Sequence, residues 1–279
     1  MRKYYFWAFC CLFLSSALPA QNLLKPLWKF STGDHPDWAD PDFNDEEWRT
    51  LLHGSPWEKQ GVGNYDGVAW YRQTVEVPKA LEAQAKKQGG LILSLGKIDD
   101  ADETFWNGEW LGSTGQMPPD YKGAYDAERA YLVPYSRIRF GAEHVVAIRV
   151  YDHQGGGGLY AGAVSLRVPG MKDLLQIEAA GLPDDHVFGQ SEPVTFAVNL
   201  ENGFSEDLQG ELTILVHSDF GNRILKKAVP IDLKQGEKQT LPQNLGALPP
   251  GFYEVNLLFE SNFDNKKAAF SLGVAPTVI

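Results

Sequence analysis

Cysteine is all but missing. The only two, Cys10 and Cys11, sit side by side near the N-terminus, and the rest of the chain has no thiol. Disulfides, thiol nucleophiles and cysteine metal sites are thereby excluded downstream, so folding must rest on hydrophobic burial. Basic residues are also in the minority: 25 Lys and Arg stand against 36 Asp and Glu, a net charge of −11. A surface of that sign repels phosphate backbones and anionic lipid, which argues against nucleic-acid and peripheral-membrane partners.

Long hydrophobic runs are lacking too. The longest lies in "MRKYYFWAFCCLFLSSALPAQ", after Arg2 and Lys3 and before the small-residue "ALPA". At about 14 residues it is shorter than the roughly 20 that cross a bilayer. Basic start, apolar middle and small-residue end predict a signal peptide over residues 1–20, hence a secreted or periplasmic protein with no membrane insertion once the signal is removed. Its removal takes both cysteines and two positive charges.

Hydrolase signatures are missing as well. No Gly-x-Ser-x-Gly occurs, the nearest being "GQSEP", and no HExxH. The "GGGG" of "YDHQGGGGLYAG" (151–162) has no following Lys-Ser/Thr and no βαβ context, so it is no phosphate cradle. It reads instead as a lean loop built for close approach of backbone or ligand. No catalytic constellation is expected.

What is present is β-structure. The one helical stretch is "KALEAQAKKQGG" (79–90), stopped by Gly89. Elsewhere short strands alternate with Gly, Pro, Asn and Asp, the pattern of an all-β sandwich. Every tryptophan lies before residue 111. After about residue 170 a clean period of two takes over: Val194, Phe196, Val198 and Leu200; Leu212, Ile214 and Val216; Tyr253, Val255, Leu257 and Phe259; Ala268, Phe270, Leu272 and Val274. The change at "VPGMKD" predicts one domain over 21–169 and an immunoglobulin-like sandwich over 173–274. Residues 275–279 remain as a tail or a truncated junction.

The richest stretch is "DDADETFWNGEW" (99–110). Asn107-Gly108 between strand-like flanks predicts a type I′ hairpin turn. Asp99, Asp100, Asp102 and Glu103 precede it, where a strand runs out into a corner. Three roles stay open for them: capping local backbone, contacting a metal or ligand (a structural calcium among the options), and acid/base catalysis. Trp106 and Trp110 are expected to share one face of the hairpin, either as core or as a stacking surface for a sugar. Trp57, in the polar loop "HGSPWEKQGVGNYDG", is expected to be exposed. With His153 and Tyr160 beside the glycines, these residues are the candidate ligand contacts. Aside from the calcium option, no cofactor is expected.

Four motifs, in order, carry a resemblance: "WKFSTGDHPDWADPDFNDEEWRTL", "DGVAWYRQTVEVP", "LGKIDDADETFWNGEWLGSTG" and "HVVAIRVYDHQGGGGLYAG". Together they resemble the sugar-binding jelly-roll domain of glycoside hydrolase family 2, similar also to the domain in sialate O-acetylesterases. The resemblance implies a galactose-binding-like sandwich over about residues 26–168, followed by an immunoglobulin-like accessory domain. It further implies a carbohydrate partner and a neighbouring hydrolase or esterase module. The reading is a secreted, non-catalytic carbohydrate-recognition or accessory module. The alternatives are the N-terminal portion of a larger hydrolase or esterase, and a docking module in a glycan-utilisation complex.

Overall fold

The computed structural model describes residues 22–276; the signal peptide read at 1–20 and the end of the 275–279 tail lie outside that range. Among the described residues the chain is built of mostly antiparallel strands, and no helix is long and apolar enough to cross a membrane. The all-β sandwich architecture expected from the turn spacing is what forms.

Strands β1 (Leu27–Thr32), β2 (Arg49–Leu52), β3 (Gly67–Val77), β4 (Gly90–Asp99), β5 (Ala101–Trp106), β6 (Glu109–Thr114), β7 (Glu128–Pro134), β8 (Ala142–Asp152) and β9 (Gly158–Arg167) make two sheets. One has six strands in the order β2-β1-β3-β8-β5-β6; the other has three, β7-β4-β9. Alternation sends Trp28, Phe30, Tyr71, Val146 and Ile148 of the large sheet against Leu91, Leu93, Leu95 and Leu166 of the small one, giving a single buried cluster. The expected helix appears as a 3₁₀ turn at Lys79–Leu81 running into α1 (Glu82–Lys87), with Gly89 at φ +81° ending it.

β3 is buried on both faces. Trp70 points away from the main core and is covered by Trp38, Trp48 and Phe105, because residues 33–48 fold over the outside of the sheet. Buried Arg72 staples that segment, donating to the Asp45 carboxylate at 2.8 Å and to the carbonyls of Trp38, Asp40 and Phe43. Most of the tryptophans are thus spent on packing.

Beyond residue 170, α2 (Met171–Leu174) leads into β10 (Leu175–Ala180), β11 (Val187–Gly189), β12 (Pro193–Asn202), β13 (Leu208–Ser218), β14 (Arg223–Leu233), β15 (Lys238–Ala247), β16 (Gly251–Glu260) and β17 (Asn265–Ala275). Sheets β10-β12-β15 and β11-β17-β16-β13-β14 enclose a second cluster that shares no residue with the first. Its lining is the alternating set expected, save that Ala268 and Phe270 are only partly buried. At the seam Arg167 grips Asp173 through two bonds of 2.6 and 2.8 Å, and Lys87 pairs with Glu206 at 3.1 Å.

Candidate functional site

The four clustered acids do not act together. β4 belongs to the small sheet and β5 to the large one, so residues 99–101 form the corner where the chain changes sheets. Along β5 the pleat then sends neighbours to opposite faces. Asp102 turns inward and is fully buried: Arg129 Nε donates to it at 3.0 Å, and the hydroxyls of Thr104 and Tyr131 at 3.0 and 2.8 Å. Burial pushes its carboxyl up, against the pull of those three donors. This corrects its place among the ligand candidates, since no ligand can reach it. Glu103 turns the other way and pairs with Arg149 at 2.8 Å, which also holds Asp34. It therefore lies on the outer face of the large sheet, away from the glycine loop.

Two tryptophan expectations are also corrected. Trp57 has 0% exposure. The polar loop around it closes into a 3₁₀ turn at Trp57–Gln60 that aims the ring inward, against Phe30 (5.6 Å between centroids) and Tyr65 (6.0 Å). The glycine run makes this possible: a Cβ on Gly157 would lie 2.1 Å from the indole. Trp106 and Trp110 do not share a face. A two-residue turn pairs Trp106 with Glu109, so Trp110 falls opposite Phe105 on the other side of the hairpin. Trp106 is core, its Nε1 donating to the Arg137 carbonyl at 3.2 Å, whereas Trp110 is 56% exposed.

The turn itself is as expected, with φ of 50° at Asn107 and 80° at Gly108. Asn107 does a second task that sequence reasoning missed. Its Oδ1 accepts the Val145 N–H at 2.9 Å and its Nδ2 meets His144 Nδ1 at 2.8 Å, clipping the hairpin to β8.

What the fold does bring together is Asp99, Asp100 and His153. They line a shallow basin of 470 Å³ with Tyr121, Gly123, Tyr125 and Gln154. Asp100 is fixed from three sides: its N–H donates to the Tyr151 carbonyl, its carbonyl accepts from Arg129 and Ala124, and its Oδ2 accepts the His153 N–H at 2.9 Å. Tyr121 stacks on His153 with centroids 4.9 Å apart, beside the Asp100 carboxylate, and burial together with that carboxylate pushes its hydroxyl pKa up. Tyr160 is a buttress, donating to the Tyr125 carbonyl at 3.0 Å. Tyr121 and Tyr125 lie in "MPPDYKGAYD", where no local pattern marks them.

Asp152, at the end of β8, carries no local mark either. It is fully buried, and one carboxylate oxygen each from Asp99, Asp100 and Asp152 lie within 4.8 Å of one another. Burial, then the hydrogen bond to Asp100 and the charges of Asp100 and Asp152, push Asp99 up to about 7 against the pull of Arg129. Burial, then the charges of Asp100, Glu58 and Asp66, push Asp152 up to about 6. The corner concentrates negative charge beside an aromatic wall, an arrangement that accepts hydroxyl hydrogen bonds or a hard cation.

No family model matches the chain, and no curated protein matches it. Solved structures do match in fold. A β-glucuronidase from Bacteroides uniformis aligns at a TM-score of 0.60 and 18% identity over 91% of this chain. A glycosyl hydrolase family 2 member from Bacteroides cellulosilyticus DSM 14838 aligns at 0.55 and 16% over 92%, and a putative β-galactosidase from Bacteroides fragilis at 0.53 and 17% over 91%. The chain spans only 32%, 36% and 40% of those three structures. The tandem sandwiches are thus a fold found within large glycoside hydrolases, and the likeness is one of fold.

Proposed function

We propose that this chain is a carbohydrate-recognising, non-catalytic part of a glycan-degrading system, exported to the periplasm or beyond by the leader at residues 1–20. The observation that carries the reading is the basin on the first sandwich. Tyr121 and Tyr125 supply aromatic surface, and Asp99 and Asp100 supply acceptors for sugar hydroxyls. With no cation bound, the negative charge there disfavours uronates and favours neutral sugars. Asp99 and Asp100 are consecutive in one corner, unlike the two carboxyls that flank a scissile bond in glycosidases. Residues 21–169 and 173–274 are its two domains, each with its own core.

A glycan array probed with the purified chain tests this reading. Binding to neutral oligosaccharides, without turnover of aryl glycosides or aryl acetates, is the expected result. Turnover that survives repurification and scales with protein concentration would sink it. The partial coverage of the matched hydrolases favours a second reading, in which the chain works as part of a larger glycoside hydrolase family 2-like enzyme or beside an esterase module.

A further inference from the structure

We propose that Asp99, Asp100 and Asp152 form a binding site for one divalent cation of the calcium class at the corner between β4 and β5. Three observations carry it. The first is spacing. One oxygen from each carboxylate lies within 4.8 Å of the others, the separation found among oxygens around a cation bound at 2.3–2.6 Å.

The second is Asp152. It has 0% exposure, its Oδ1 accepts the Gln154 N–H at 3.1 Å, and its Oδ2 has no hydrogen-bond partner among the described residues. An orphaned carboxylate oxygen that deep is costly unless something positive meets it.

The third is charge. Glu58 and Asp66 add to the negative potential at Asp152, and Glu58 Oε1 is itself buried without a partner among the described residues. The nearby cation, Arg129, is committed elsewhere: it serves Asp102 and the carbonyls of Asp100, Ala124 and Ala127. Its guanidinium fixes the corner but does not enter the cluster.

An all-oxygen ligand set selects a hard cation over zinc or copper. Calcium suits it better than magnesium. Half-buried Asp99 borders the basin, which leaves room for water ligands in the loose, higher-coordinate shell that calcium accepts. The ligands come from the end of β4, the corner itself and the end of β8. Occupancy would therefore tie the two sheets together where the chain passes between them.

The test is calorimetric titration of calcium chloride into the purified chain after EDTA treatment and desalting, with thermal melts alongside and no glycan present. The expected result is one site with a dissociation constant near or below about 10⁻³ M, and a melting midpoint that rises with calcium. Asp152→Asn and Asp99→Asn should each weaken binding at least tenfold. Asp99 is half-buried, so its variant carries the test if the Asp152 variant does not fold. Three results would overturn the proposal: no heat and no stabilisation at about 10 mM calcium, well above the affinity of weak extracellular sites; binding unchanged in both variants; or magnesium binding as tightly as calcium. Loss of this inference leaves the carbohydrate reading standing, because the array scores glycan and this titration scores metal alone.

Discussion

Adding one methyl group at Gly157 should unfold the first sandwich more easily, while the same change at Gly156 should not. A Cβ at Gly157 would sit 2.1 Å from Trp57 Cζ2, 2.4 Å from Cε2 and 2.8 Å from Asp152 Oδ2. None of these atoms yields cheaply: the indole is rigid, fully buried and wedged by Phe30 and Tyr65, and Asp152 is fully buried. Overpacking of this kind costs about 1–3 kcal/mol, and the rigid ring places Gly157→Ala at the upper end. At Gly156 the nearest atom is Pro56 Cβ at 3.5 Å, an ordinary contact, and φ is not in the left-handed region. Gly156→Ala should therefore be neutral, or stabilising by about 0.4–1 kcal/mol through the unfolded state. Urea titration followed by tryptophan fluorescence is the assay. Every tryptophan precedes residue 111, so the signal reports the first sandwich alone. With urea slopes of about 1–3 kcal/mol/M, the Gly157 variant should lose roughly 1 M in midpoint. Equal midpoints for the two variants would refute the close packing of Trp57 on the glycine loop.

Further outcomes follow from the same contacts. Arg129→Met leaves the Asp102 carboxylate buried without its ion pair and should cost about 3–5 kcal/mol in urea; a loss under about 1 kcal/mol would mean that Asp102 is protonated or hydrated. Gly108→Val should cost about 1–3 kcal/mol, because a β-branched residue is strained at positive φ; an unchanged midpoint would rule out the turn. Residues 21–169 and 173–279, expressed separately, should each give dispersed amide spectra. A half that stays unfolded alone would make the seam at Arg167–Asp173 and Lys87–Glu206 obligatory.

Local pattern made a good part of this fold legible. Val194 to Leu200 and Tyr253 to Phe259 alternate with a period of two, and a strand with one buried face can read no other way. Asn107-Gly108 is equally local, since the turn needs two residues that tolerate positive φ. Structure and local pattern part where the deciding contact is distant in sequence. The polar neighbours of Trp57 suggest exposure, but its burial depends on Gly157, a hundred residues on. Asp102 looked like its acidic neighbours, and only Arg129 and Tyr131 reveal it as scaffold. Trp106 and Trp110 differ for another reason: across the two-residue turn Trp106 pairs with Glu109, and a shift of one place in register reverses the face of Trp110. Tyr121 and Asp152 leave no local signal because the basin and the acidic corner behind it are assembled from separate segments.

Tyr121 is the side chain that most directly tests whether the basin binds carbohydrate, since its ring stacks on His153 at the basin wall and is not part of either buried core. The measurement is a calorimetric titration of the purified chain and its Tyr121→Ala variant with the strongest glycan from the array, with thermal midpoints confirming that both are folded. Loss of a stacking ring worth about 0.5–1.5 kcal/mol beyond area should weaken binding by roughly twofold to twelvefold. Wild-type affinity in the folded variant would contradict the account and place the carbohydrate surface elsewhere.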